Sequence, residues 1–275
     1  MKTKSHKNAR DGFTLLELLV VVAIVAILAS LAASAVSRVK QSSQRIVCMN
    51  KLKQWGHGAQ FYAEDHNDNL PQEAVFDGIN TWEMTAFSAC KEVWYNSMPR
   101  SLGVKQAADF SKTPSSQRSF YSQNASIFHC PSARFAPVSA TYPNFSLAMN
   151  SKLMGDFESN FPGAGMEMAA PGVMTELRLS QIVVPTKTAL FLDSGVAGEQ
   201  TVSEFQMPFT GQPKAYASEF PGRHGGGGNI LFAAGNAATL PAREVVDMDP
   251  NSPFRGGGIF PPKSVIWRHD PALVP

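Results

Sequence analysis

The sequence predicts an α+β fold in which a long N-terminal helix, half transmembrane and half amphipathic, packs on an antiparallel β-sheet with irregular loops. Three observations predict it. Residues 13–35 are apolar except for Thr14, Glu17, Ser30 and Ser34. A helical spacing of apolar side chains continues to residue 63 with no proline to interrupt it. Beyond residue 70 the chain, with most of its 21 Gly and 19 Pro, breaks into short apolar runs between turn residues.

The apolar run comes first. As a helix rising about 1.5 Å per residue it covers about 35 Å, enough to cross a bilayer. Lys2, Lys4, Lys7 and Arg10 precede it against one acid, Asp11, which places the N-terminus in the cytoplasm and everything after residue 35 outside. Glu17 lies within the run, where a carboxylate costs about 2.5–3.5 kcal/mol at the centre of a membrane-spanning helix, so the position calls for a role. Two plainer readings compete. In one, Ala33-Ser34-Ala35 is an ordinary signal-peptidase site and the rest is a secreted soluble binding protein or enzyme. In the other, the helix is a simple anchor with an incidental acid.

Past the membrane, Cys48, Leu52, Trp55, Ala59 and Tyr62 recur at steps of four, three, four and three, which puts them on one helical face. That face should pack on the globular domain, while Arg45, Lys51, Lys53 and Gln54 fall largely off it. Gly56 and Gly58 each cost about 1 kcal/mol in helix propensity and are candidates for a bend. The polar run 65–69 before Pro71 ends the helix. The predicted organisation is a leader at 1–12, a transmembrane half at 13–35, an amphipathic half at 36–65 and an extracytoplasmic globular domain at 66–275.

Within that domain, 82–96 reads as a short helix with Ala86, Cys90 and Val93 on one face, and 99–126 as a surface insertion. Strand-like runs occur at 127–130, 188–193, 229–233, 237–240 and 264–268. The total charge of +2 includes +3 from the leader, which leaves −1 on the remainder. A near-neutral body with no basic stripe lacks the footprint of a nucleic-acid binder, so no nucleic-acid partner is expected.

The junction Arg10-Asp11-Gly12-Phe13-Thr14-Leu15-Leu16-Glu17-Leu18 resembles the processing site of the type IV pilin and type II secretion pseudopilin superfamily. The resemblance implies cleavage between Gly12 and Phe13 by a prepilin peptidase, N-methylation of Phe13, and an assembly role for Phe13 together with Glu17, the fifth mature residue. It also implies partners: copies of the chain itself and other pilin-like subunits, an inner-membrane assembly platform and the lipid bilayer. Further segments resemble large pilin-like proteins that end in a His-x9-Asp-Gly motif. They are 48–54, 62–65 leading to Leu70-Pro71, Phe128-His129-Cys130-Pro131-Ser132, Ala148-Met149-Asn150, and Arg223-His224 through Gly235. Ten residues after His224 stands Ala234, so the Asp is missing and the turn is expected to shift to Gly235-Asn236.

The cysteines Cys48, Cys90 and Cys130 show no CxxC spacing. A Cys48–Cys130 disulfide is expected, because Cys48 begins the packing face and Cys130 ends an apolar run at the sheet margin. Three reduced thiols, or a Cys90–Cys130 bridge, remain open alternatives. Asp247, Asp249 and Asn251 alternate oxygens as a calcium loop does, and some secretion pseudopilins hold calcium in a C-terminal loop, although the sharp-turn Gly and the closing Glu are missing here. No other cofactor is expected. Gly225–Gly228 precedes a strand rather than a helix, which disfavours a phosphate loop. Ser194, Asp193 and His224 lack the nucleophile elbow of a hydrolase, and His57, His66 and His129 read as isolated surface or loop residues. The expected function is non-catalytic: a subunit of a type II secretion-type pseudopilus, with a surface type IV pilin for adhesion, motility or DNA uptake as the alternative.

Overall fold

The computed structural model describes residues 14–73, 78–122, 126–135, 142–153, 177–204, 206, 208–246 and 264–270. The chain divides into two compact units, Met1–Ser43 and Gln44–Pro275. Helix α1, Leu15–Asp65, belongs to both. In the first unit its side chains are exposed, including Leu15, Leu19, Val22, Ile27 and Leu31. It is the one helix among the described residues long and apolar enough to cross a membrane.

In the second unit the predicted packing face of α1 is buried: Cys48, Leu52, Trp55 and Ala59 have no exposure, and Tyr62 has 7%. Trp55 stands at the centre of an aromatic cluster, 4.8 Å from Trp94 and 5.3 Å from Phe128 between ring centroids, and its indole N–H donates to the Ile127 carbonyl at 3.1 Å. Gly56 and Gly58 serve close approach rather than a bend. A Cβ on Gly56 would lie 2.9 Å from Leu231 Cδ2, and one on Gly58 would lie 3.0 Å from Met98 Cε. Asn67 and Asp68 follow the helix at φ 54° and 70°, a left-handed exit that lets the Asp68 N–H return to the Ala63 carbonyl at 2.8 Å.

The sheet holds five strands: β1 Leu147–Asn150, β2 Ala189–Asp193, β3 Lys214–Ala215, β4 Gly227–Phe232 and β5 Ala237–Pro241, in the order β3-β1-β2-β4-β5. It is mixed rather than purely antiparallel, because β3 runs parallel to β1. Both faces are covered. Leu147, Met149 and Leu231 join the cluster built on α1, while Ala148, Ile230 and Phe232 join a second cluster with Phe220, Val245 and Trp267. Strand β2 changes phase at a bulge between Ala189 and Phe191, so Leu190 and Phe191 both enter the α1-side cluster and Leu192 the other. Alternation then returns Asp193 to the α1 side. Without the bulge, period-two alternation would send that carboxylate to the opposite face.

Several sequence expectations are corrected. The stretch 82–96 forms two 3-10 turns, Glu83–Ala86 and Ser88–Glu92, before helix α2, Trp94–Ser101. The Asn96 side chain donates to the Thr85 and Cys90 carbonyls, so those acceptors are met without a continuous helix. The expected surface insertion contributes core instead: α3, Ala107–Phe110, and α4, Pro114–Phe120, bury Phe110 and Phe120. Residues 127–130 form no strand: the Ile127 and His129 carbonyls accept from Trp55 and Lys51 of α1, at 3.1 and 2.8 Å, and within the run the Phe128 carbonyl alone meets β1, accepting the Leu147 N–H at 3.3 Å. Residues 264–268 contribute a single parallel bridge, Ile266 to Thr188. A short helix, α5, Ala242–Val245, follows β5.

Candidate functional site

Two places concentrate the chemistry of this chain. At the start of α1, Gly12 and Phe13 lie outside the described residues, but Thr14 and Glu17 do not. The Glu17 carboxylate accepts from the Thr14 backbone N–H at 2.9 Å and hydroxyl at 2.8 Å, while the Glu17 N–H donates to the Thr14 hydroxyl oxygen at 3.2 Å. This is a reciprocal capping box: the Thr-x-x-Glu spacing that a helix N-terminus uses to satisfy its first amides. Glu17 therefore has local partners within its own chain.

The second place was read from the sequence only as a Cys48–Cys130 pair. Cys48 on α1, Cys130 in the loop before β1, Asp193 at the end of β2 and His224 before β4 bring their ligand-type atoms within 4.8 Å of one another, all buried. The contacts run in a chain. The Cys48 thiol donates to Asp193 Oδ1 at 2.9 Å, Asp193 Oδ2 lies 3.3 Å from His224 Nε2, and the same nitrogen is 3.3 Å from Cys130 Sγ. Backbone and hydroxyl groups fix the frame: the Asn229 N–H donates to Asp193 Oδ2 at 2.7 Å, and the Cys130 N–H donates to Ser146 Oγ at 2.7 Å.

Cations border the cluster. Arg223, with a side chain 5% exposed, places Nη1 3.7 Å from Asp193 Oδ1 and Nη2 2.5 Å from Glu199 Oε2. Burial raises the Asp193 carboxyl, but the His224 bond and the Arg223 charge outweigh it and hold the group below its usual range. Burial lowers His224, and its bonds to Asp193 and Cys130 reverse that to about 9. Burial pushes Cys48 well up; Cys130, raised by burial, is brought to about 6 by bonds from Cys48 and His224.

The expected Cys48–Cys130 bridge is absent as a bond, since all three cysteines are free thiols. The two sulfurs do meet, and Cys90 stays apart in its own turn, but Asp193 and His224 share the site with them. Sequence reasoning considered Asp193 and His224 together only as a hydrolase triad with Ser194 and set that aside; the structure brings the two into contact. Their placement was hidden because it depends on the β2 bulge for Asp193 and on the path of the chain into β4 for His224. The one available signal was that Cys48, Cys130 and His224 all fall in segments that carried the family resemblance. His129, expected on the surface, is buried, with Nε2 2.7 Å from the Asn144 carbonyl and its ring 4.6 Å from Phe120. Burial pulls it down to about 3, so it is neutral in the folded chain.

Gly235 lies at φ 84° in the β4–β5 turn, away from His224 in role: the Gly235 N–H donates to the Phe232 carbonyl at 2.8 Å, and the Phe232 N–H to that of Asn236 at 2.8 Å. Asp247, Asp249 and Asn251, the expected calcium ligands, lie outside the described residues.

Comparison with known families matches residues 7–33 to the prokaryotic N-terminal methylation motif. No curated protein and no solved structure matches the chain.

Proposed function

We propose that this chain, which carries a type IV pilin-like methylation motif at residues 7–33, is a non-catalytic filament subunit of a type II secretion-type pseudopilus. The motif carries the reading. It supports the pilin-like part of the reading, because Gly12-Phe13 precede an apolar helix that holds Glu17, the arrangement a pilin-like subunit uses for processing and assembly. Prepilin peptidase would cut after Gly12, and the mature helix would hold the subunit in the inner membrane with the 66–275 domain in the periplasm. Extraction by the assembly platform would then pack α1 against copies of itself and other pilin-like subunits.

Intact-mass measurement of the membrane-extracted chain tests this. The expected mass is that of residues 13–275 plus one methyl group. Cleavage after Ala35, or a full-length chain in cells with active prepilin peptidase, would overturn it. Filaments confined to the envelope and loss of a secreted cargo on deletion would mark a pseudopilus, whereas filaments on the cell surface would assign the chain to a type IV pilus.

A further inference from the structure

We propose that Cys48, Cys130, Asp193 and His224 are the four ligands of a structural zinc ion, bound through two Sγ atoms, one Asp193 carboxylate oxygen and His224 Nε2. Zinc bonds sulfur near 2.3 Å and nitrogen or oxygen near 2.0–2.2 Å, so tetrahedral donors sit roughly 3.3–3.8 Å apart. The donors here are already near that spacing. Cys130 Sγ and His224 Nε2 are 3.3 Å apart, His224 Nε2 and Asp193 Oδ2 are 3.3 Å apart, and no pair of the four exceeds 4.8 Å. The Cys48 contact, 2.9 Å to Asp193 Oδ1, must open slightly, and any pair near the 4.8 Å limit must close by about 1 Å around the ion.

The donor set selects the metal. Two thiolates and an imidazole with one carboxylate suit a borderline-soft, tetrahedral cation and not calcium or magnesium, which take oxygen. Binding releases to solvent the Cys48 thiol proton and the one proton held between Cys130 Sγ and His224 Nε2. Two thiolates, one carboxylate and Zn2+ leave a net charge of −1, and the Arg223 guanidinium at 3.7 Å from Asp193 Oδ1 faces it. Two outer contacts hold ligands in place: the Asn229 N–H donates to the Asp193 carboxylate, and Ser146 Oγ accepts the Cys130 backbone N–H and so fixes the loop that carries the thiol. All four ligands are buried, so the site is closed and structural rather than open and catalytic. Its effect is to clamp α1, the 126–135 loop, β2 and the entry to β4 to a single point. The site is independent of which filament the chain joins.

The test uses the full-length chain, extracted in detergent without chelator. Elemental analysis is expected to find about one zinc per chain, and Cys48 and Cys130 to be alkylated as free thiols only after denaturation with chelator. Exchange for Co2+ should give the absorption of a tetrahedral, thiolate-bound ion. Cys90→Ser should keep the metal, Cys48→Ser should lose it, and Ser146→Ala should weaken zinc binding about 10- to 100-fold. A metal-free chain with a Cys48–Cys130 disulfide, or a reduced and folded chain that takes up neither Zn2+ nor Co2+, would overturn the proposal. Should Cys48→Ser fail to fold, the cobalt spectrum of the unaltered chain still decides.

Discussion

Glu17 can serve two ends that separate at a single atom. Its carboxylate closes the capping box with Thr14, and under the proposed cleavage it would lie four residues from the new Phe13 ammonium, where a neighbouring subunit's ammonium could pair with it. Gln keeps the capping geometry and removes the charge; Ala removes both. If pairing drives assembly, Glu17→Gln and Glu17→Ala both insert and fold yet give few crosslinked oligomers. Wild-type crosslinking of Glu17→Gln would reduce the residue to a helix cap. At the other end of α1, Asp68 accepts from the Ser180 hydroxyl and, at 3.1 Å, from its backbone N–H. Those bonds hold the carboxyl below its usual value. A lowered folded pKa means the contribution is present above the unfolded value, about 3.9, and is lost as pH falls through the folded one. Asn tolerates the same left-handed backbone, so Asp68→Asn isolates the charge. Its melting temperature should fall below wild type at pH 7, with the gap closing toward pH 3; an equal gap at both would exclude an electrostatic role.

The β4–β5 hairpin shows how an element absorbs a missing motif residue. Ala234 stands where the family resemblance calls for Asp, yet the left-handed position in the three-residue turn 233–235 is held by Gly235 at φ 84°. The turn therefore does not need the acid. Gly235→Ala should cost about 1–2 kcal/mol of unfolding free energy, the strain of a Cβ in that region, whereas Ala234→Asp should stay within about 0.5 kcal/mol. Denaturant titration of both variants checks the pair, and equal costs would place the strain at 234. The glycine at the start of β4 acts differently. A Cβ on Gly227 would stand 2.2 Å from the Leu240 carbonyl oxygen, so its role is to let β5 approach.

For the molecule as a whole, the proposed processing after Gly12 would govern where the domain works. A small residue is needed at the cleavage point, so Gly12 replaced by a bulky side chain should leave full-length precursor in the inner membrane; normal maturation of that variant, read by intact mass, would remove the main support for the pilin-like reading. Everything in that prediction was legible from the sequence. A 51-residue helix, its apolar first half and its packing face are set by hydropathy and by a 3.6-residue period, both local properties that need no partner to be recognised. The three strands at 189–193, 227–232 and 237–241 were legible for the same reason. Strand β1 was not predicted, because its four residues are buried on both faces and show no alternation. The 127–130 run was misread because two of its carbonyls, Ile127 and His129, bond to Trp55 and Lys51, some 75 residues away in sequence. The buried cluster lies furthest from local reading. Sequence reasoning brought Cys48 and Cys130 together, but Asp193 reaches them only because one bulge in β2 turns its side chain toward α1, and His224 only because the chain before β4 returns beside it. Tertiary structure decided that site because a one-residue change of strand phase moves a side chain to the opposite face, and no periodicity in the sequence records it.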